Sequence, residues 1–134
     1  MEKFSVEGYF WFSFGGKADI GECHQMGREE NIDFPEEREI GYGATVRKGM
    51  EVPDFSEYRY FKCTVKVSNP VTLTVEYASV LPTYPQDIPL QRGENFIEIV
   101  LPKKDINEAK LFVSAAKNLK LGRTSFQVLE WTFE

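Results

Sequence analysis

Apolar and polar residues alternate with a period of two along most of this chain, most clearly over Tyr58–Ala78, YRYFKCTVKVSNPVTLTVEYA. On its first arm Phe61, Cys63, Val65 and Val67 share one face, and Tyr60, Lys62, Thr64 and Lys66 share the other. On the second arm Val71, Leu73, Val75 and Tyr77 alternate with Thr72, Thr74 and Glu76. Such alternation in β-branched residues predicts two strands, here joined as a hairpin through Ser68-Asn69-Pro70. A proline there cannot continue a strand ladder, so the chain turns. Each arm has one oily face that two strands alone cannot cover, which calls for a second sheet packed on the first. The expectation is an all-β fold, a two-sheet antiparallel β-sandwich of jelly-roll type, with residues 1–134 as one domain.

The same reading runs along the rest of the chain. Phe4–Phe14, FSVEGYFWFSF, reads as one strand. Its even positions Phe4, Val6, Phe10, Phe12 and Phe14 are hydrocarbon and are assigned to the core. Its odd positions Ser5, Glu7, Tyr9, Trp11 and Ser13 mix rings with polar groups and are assigned to a wet face. Residues 17–39 are polar and acidic and read as long connections with a short strand or helical turn. Ile40–Val46, IGYGATV, resumes strand character, and Gly41 and Gly43 signal a bulge or close approach of something to the backbone. Asp54 or Ser56 is expected to cap a turn before the central arms. Pro82, Pro85 and Pro89 rule out a helix and a central strand over 81–89, leaving Tyr84 on an exposed loop. Phe96–Leu101 should face inward through Ile97, Ile99 and Leu101, and Ala109–Ala116 through Leu111, Val113 and Ala115. Over Ser125–Phe133 the alternation breaks at Leu129-Glu130, which predicts a β-bulge or a crossing between sheets. No segment has a helical period.

Composition narrows the function classes. The 134 residues suffice for a core without staples. A net charge of −5 and no basic stripe argue against nucleic acid as a partner. No apolar run approaches membrane-spanning length, so no membrane partner is expected. Cys63 falls on an oily face and reads as a buried thiol; a Cys23–Cys63 bridge would need the early loop to fold over that strand. With His24 the only histidine, and Cys23 beside it pointing the other way on an extended chain, there is little material for a triad or a zinc site. Glu7, Glu76, Glu98 and Glu130 are strand carboxylates that the sequence does not pair, so no enzyme is expected. Aromatics make up 14% of the chain, and this changes the picture, because Tyr and Trp suit half-wet surfaces that stack on a ligand. Tyr9 and Trp11 would lie roughly 7 Å apart on one face, a spacing comparable to successive sugar rings. Tyr42 and Tyr84 are further surface rings. Glu7, Ser5, Ser13, Arg59 and Lys62 are candidate hydrogen-bonding groups for hydroxyls.

Three segments carry a resemblance. Asp54-Phe55-Ser56-Glu57-Tyr58 followed by FKCTVKV resembles the Asp-x-Ser-x-Tyr opening before a strand in jelly-roll carbohydrate-binding modules. IPLQRGENFIEIVL over Ile88–Leu101 resembles their strand, Gly-Asn turn, strand unit. The closing SFQVLEWTFE resembles their last strand, with Phe126, Val128, Trp131 and Phe133 on its apolar positions and Glu134 on its final acid. Together these cover residues 54–134. The resemblance implies a sandwich that binds a polysaccharide or oligosaccharide on one sheet face or at the loop edge and is tethered to a catalytic or surface domain of a larger secreted or cell-surface protein; a cytoplasmic place is expected only if the chain is complete. No cofactor is certain. Glu130 and Asp19 are the candidate oxygens for a structural calcium ion. The alternative is a structural or protein-interaction sandwich that uses the same aromatic face for packing.

Overall fold

A computed structural model describes residues 2–15, 20–34, 39–119 and 121–134. Eleven strands run through these residues: β1 Phe4–Ser5, β2 Gly8–Phe14, β3 Ile20–Gln25, β4 Glu29–Ile32, β5 Gly41–Arg47, β6 Tyr60–Val67, β7 Val71–Ser79, β8 Gln86–Leu90, β9 Gly93–Val100, β10 Ile106–Ser114 and β11 Thr124–Phe133. They form two antiparallel sheets. One has the order β1-β11-β6-β9, with β4 also pairing β11; the other has the order β3-β2-β5-β10-β7-β8. The fold is the β-sandwich that the alternation implied.

The two central arms keep their expected faces but not their pairing. Phe61, Cys63, Val65, Val67, Val71, Leu73 and Val75 are all buried. Yet β6 bonds to β11 and β9, whereas β7 bonds to β10 and β8. The Ser68-Asn69-Pro70 turn carries the chain from one sheet to the other, so the arms face each other across the core instead of forming a hairpin. Proline explains part of this, because it removes a ladder donor at the corner. The side chains of the corner supply the replacement: Asn69 Nδ2 donates to Arg123 O and Thr124 Oγ1 at 3.2 Å each, and Ser68 Oγ accepts from Ser125 N at 2.9 Å.

Phe4–Phe14 likewise divides between sheets. β1 pairs β11 (Phe4↔Phe133), and β2 lies between β3 and β5 in the other sheet. The acidic stretch holds two strands, β3 and β4, where a single short element was expected. Other expectations hold. Pro89 falls in β8, at a sheet edge where its missing N–H costs no ladder bond. The β11–β6 register shifts between Val128 and Glu130, at the expected bulge. Asp54 Oδ1 accepts from Ser56 N at 3.0 Å and closes the turn before β6.

Cys23 is exposed and Cys63 buried, and both are free thiols. Burial pushes the Cys63 thiol well above its ordinary range.

Candidate functional site

The decisive element is β2, and its two sides are reversed from the expectation. Tyr9 is 1% exposed and Trp11 7%, whereas Phe14 is 41% exposed and Phe10 and Phe12 are half-buried on the outer side. The reversal has a chemical cause. The interior beside Tyr9 is not hydrocarbon: the Glu30 carboxylate of β4 is buried there, and its Oε1 accepts from the Tyr9 hydroxyl at 2.8 Å. Nδ1 of His24, paired opposite Tyr9, lies 2.5 Å from the same oxygen. The polar handle of Tyr9 therefore finds its partner inside. Burial first, then the bond to Glu30, pushes the Tyr9 hydroxyl far above its ordinary range. Trp11 stacks on Tyr42 at 6.2 Å and packs on Phe126 of the opposite sheet at 5.9 Å. Both rings belong to the core, and the assignment of Tyr9 and Trp11 to a wet face is corrected on that ground.

The other candidates scatter. Tyr42 is half-buried on the inner side, with its hydroxyl donating to Asp33 O at 3.1 Å. Tyr84 is 87% exposed on the loop after β7. Glu7 is exposed in the link between β1 and β2, and Arg59 is exposed just before β6. Lys62, on the outer face of the five-stranded sheet, contacts Glu134 at 2.5 Å and Glu98 at 3.9 Å. No common surface gathers these side chains. Asp19 lies outside the described residues. Glu130 faces Lys3 at 3.9 Å, and among the described residues no three His, Cys, Asp or Glu side chains converge as metal ligands. Cys23 and His24 take opposite faces, one exposed and one buried.

What the structure does assemble is an aromatic surface on the outer face of the six-stranded sheet. Register places Phe12, Gly43, Phe112, Thr74 and Asp87 in one row across β2, β5, β10, β7 and β8. The next row toward the start of β2 holds Cys23, Phe10, Thr45, Lys110 and Glu76, and the row beyond Phe12 holds Phe14, Gly41 and Ser114. The Phe12, Phe14 and Phe112 rings are nearly parallel: Phe14 and Phe112 lie 5.2 Å apart at 5°, Phe12 and Phe112 6.2 Å apart at 20°.

Glycines create the room. A Cβ on Gly41 would stand 2.0 Å from Phe112 Cζ, one on Gly43 2.8 Å from Phe12 Cζ, and one on Gly21 2.4 Å from Phe10 Cζ. The rings therefore lean over neighbouring strands instead of standing apart. The close approach that Gly41 and Gly43 signalled is made by the protein's own phenylalanines. Cations roof two of the rings, with the Arg47 guanidinium 4.5 Å from the Phe10 centroid and Lys110 Nζ 5.0 Å from that of Phe12. On the far side Asp87 accepts from Lys117 Nζ at 2.7 Å and from Thr74 Oγ1 at 2.8 Å. The Lys117 bond, then the Thr74 bond, hold the Asp87 carboxyl below its ordinary range. The surface thus offers apolar ring area bordered by carboxylate and ammonium groups, with the Thr74 hydroxyl buried beneath Asp87 as its support. Reading Phe-x-Phe-x-Phe against Gly-x-Gly was the signal that could have found it.

No protein-family model and no curated protein matches this chain. Solved structures do. Over 99% of the chain and 96% of its counterpart, the fold is similar to CBM1 of BiXyn10A in its apo form, with a TM-score of 0.53 and 13% identity. A family 6 carbohydrate-binding module aligns over 79% of this chain and 81% of that one, with a TM-score of 0.44 and 16% identity. A family 11 carbohydrate-binding module from Clostridium thermocellum, in complex with a β-1,3-1,4-mixed-linked tetrasaccharide, aligns over 98% and 86%, with a TM-score of 0.43 and 12% identity. At such identities the likeness concerns the fold alone, an all-β sandwich of two antiparallel sheets that resembles the CBM1 structure.

Proposed function

We propose that this chain is a non-catalytic carbohydrate-binding module that holds a polysaccharide or oligosaccharide against the outer face of its six-stranded sheet. One observation carries this reading: Phe10, Phe12 and Phe14 along β2, with the buried Phe112 packed beside Phe12 and Phe14, form a patch of rings lowered over Gly21, Gly41 and Gly43. Sugar rings have apolar C–H faces that pack on such rings, while Glu76, Asp87, Lys110 and Lys117 border them with donors and acceptors for hydroxyls. The jelly-roll fold supports the reading by likeness of architecture. Attachment to a catalytic or surface domain, which the module would target to its substrate, belongs to the same proposal.

Affinity gels with soluble glucan, xylan and mannan test it. At least one polymer should retard the protein, and retardation should change little with salt, since the stacking rings are uncharged. Phe12→Ser and Phe14→Ala should each weaken binding about tenfold or more, which is ~1.4 kcal/mol or more. Failure to bind any neutral glycan, or binding that ignores both changes, would overturn the site. Trp11 lies beneath the sheet, so its fluorescence should respond to sugar only weakly. A second reading, a protein-packing sandwich, draws on Phe96 and Val100, 67% and 70% exposed on the other sheet. It predicts association in sedimentation that Phe96→Ser abolishes.

A further inference from the structure

At the end of the sandwich where β6 begins and β9 ends, a cavity of about 850 Å³ opens between three loops. Tyr58, Tyr60, Leu81 and Val100 give it rings and apolar walls, and Arg59, Lys103 and Lys104 give it charge. The wall is built. Lys104 Nζ bonds to Pro82 O and joins the loop after β7 to the loop after β9. Leu101 N donates to Arg59 O at 2.8 Å, and Arg59 N to Glu134 O at 2.6 Å, so the backbone that carries Arg59 is fixed. Asp105 is the one acid in the lining, and it faces Lys48 at 3.7 Å.

Arg59 and Lys103 have no carboxylate within ion-pair distance among the described residues. That is unexpected in a chain of net charge −5, where acids outnumber bases 21 to 16. Two uncompensated cations thus share a cavity with two tyrosine rings. A fork of guanidinium donors suits an oxyanion, and a ring beside it suits the flat face of a small cyclic molecule.

We propose that this cavity takes a negatively charged sugar unit, with its carboxylate or sulfate ester on Arg59 and Lys103 and its ring against Tyr60 or Tyr58. The proposal rests on the carbohydrate reading above, but it concerns a separate site at the loop end and not the phenylalanine face.

Calorimetry on the full chain tests it with three probes of equal length: an oligogalacturonate, its carboxyl-reduced neutral form, and a sulfated oligosaccharide. At least one charged probe should bind about tenfold more tightly than the neutral form. That margin should shrink as sodium chloride rises, because exposed charge pairs are screened. Arg59→Gln and Lys103→Gln should each remove most of the margin and leave a neutral polymer bound as before on the phenylalanine face. The ratio of the two charged probes tells carboxylate from sulfate. Equal binding of charged and neutral probes, or a margin that survives both substitutions together, would overturn the proposal. If neutral polymers still bind in that case, only the cavity assignment falls; if no saccharide binds at all, the carbohydrate reading falls with it. Both side chains are exposed and have no hydrogen-bond or ion-pair partner among the described residues, so the variants should melt as the parent does.

Discussion

Tyr9 and Phe10 are neighbours on β2, yet they live in opposite environments. Tyr9, the residue with a polar handle, is inside; Phe10, the pure hydrocarbon, is half out. The contrast continues with Trp11 inside and Phe12 and Phe14 outside. Hydropathy alone orders these residues the wrong way round. What decides is what each side provides. Inside are a buried carboxylate for the phenol and two rings for the indole. Outside are glycines that let phenylalanines lean over the sheet and pack on one another. A strand with rings on both faces turns toward the side that satisfies its polar atoms.

This contrast breaks or sharpens under substitution. If the inner side is structural and the outer side functional, the two should respond to different measurements. The largest effect is expected from Trp11→Ala, which empties a core site contacting both sheets and should cost ~3–5 kcal/mol in urea unfolding. Sugar affinity of the fraction that stays folded should change little. Next comes Tyr9→Phe, which takes a donor from the buried Glu30 and should cost ~1–3 kcal/mol. A cost near zero would mean that the phenol does not choose the side.

Gly41→Ala tests the boundary between the two sides. Its Cβ would meet Phe112 Cζ at 2.0 Å, so the ring must move. We expect ~1–3 kcal/mol of destabilisation together with weakened glycan binding. Phe14→Ala, on the outer rim, should cost within ~1 kcal/mol of stability and act mainly on binding.

The most specific signal is alkaline, and it is absent at neutral pH. Burial pushes the Tyr77 hydroxyl up from 10.0 to about 12, and the Tyr9 hydroxyl rises further still from the same ordinary value. Between pH 10 and 12 the unfolded chain gives up protons that the folded chain keeps. Stability is therefore full below pH 10 and falls as pH rises through that window. Tyr77→Phe should flatten the decline in an alkaline denaturation series, and a slope unchanged by it would remove Tyr77 as a contributor.

Much of this fold was legible in the sequence. Alternation at Phe61, Cys63, Val65 and Val67 gave the buried face of β6, and the broken period at Leu129-Glu130 gave the bulge. Partnership was not legible. A period of two states which side chains share a face but not which strand lies beside them. Ser68-Asn69-Pro70 therefore read as a hairpin turn when it is a corner between sheets. The site failed for a related reason. Facing Tyr9 inward depends on Glu30 and His24, which reach it only once β3 and β4 have folded against opposite sheets. Their stretch read as acidic connection, so the partner that draws Tyr9 inward stayed out of sight. Gly41 and Gly43 did announce a close approach, but nothing local said that Phe12 and Phe112 make it.

β11 has one further consequence, for how the chain comes together. Thr124–Phe133 bonds to β6 along one edge and to both β4 and β1 along the other. Three strands made much earlier on the ribosome thus wait for the same late segment. Until it emerges, their open backbone edges face solvent, where they are prone to pair with other chains. Assembly of this sheet is governed by long-range closure, which makes for slow folding. Production in the cell should gain more from lower temperature or a holdase that shields those edges than from any change that strengthens the finished core.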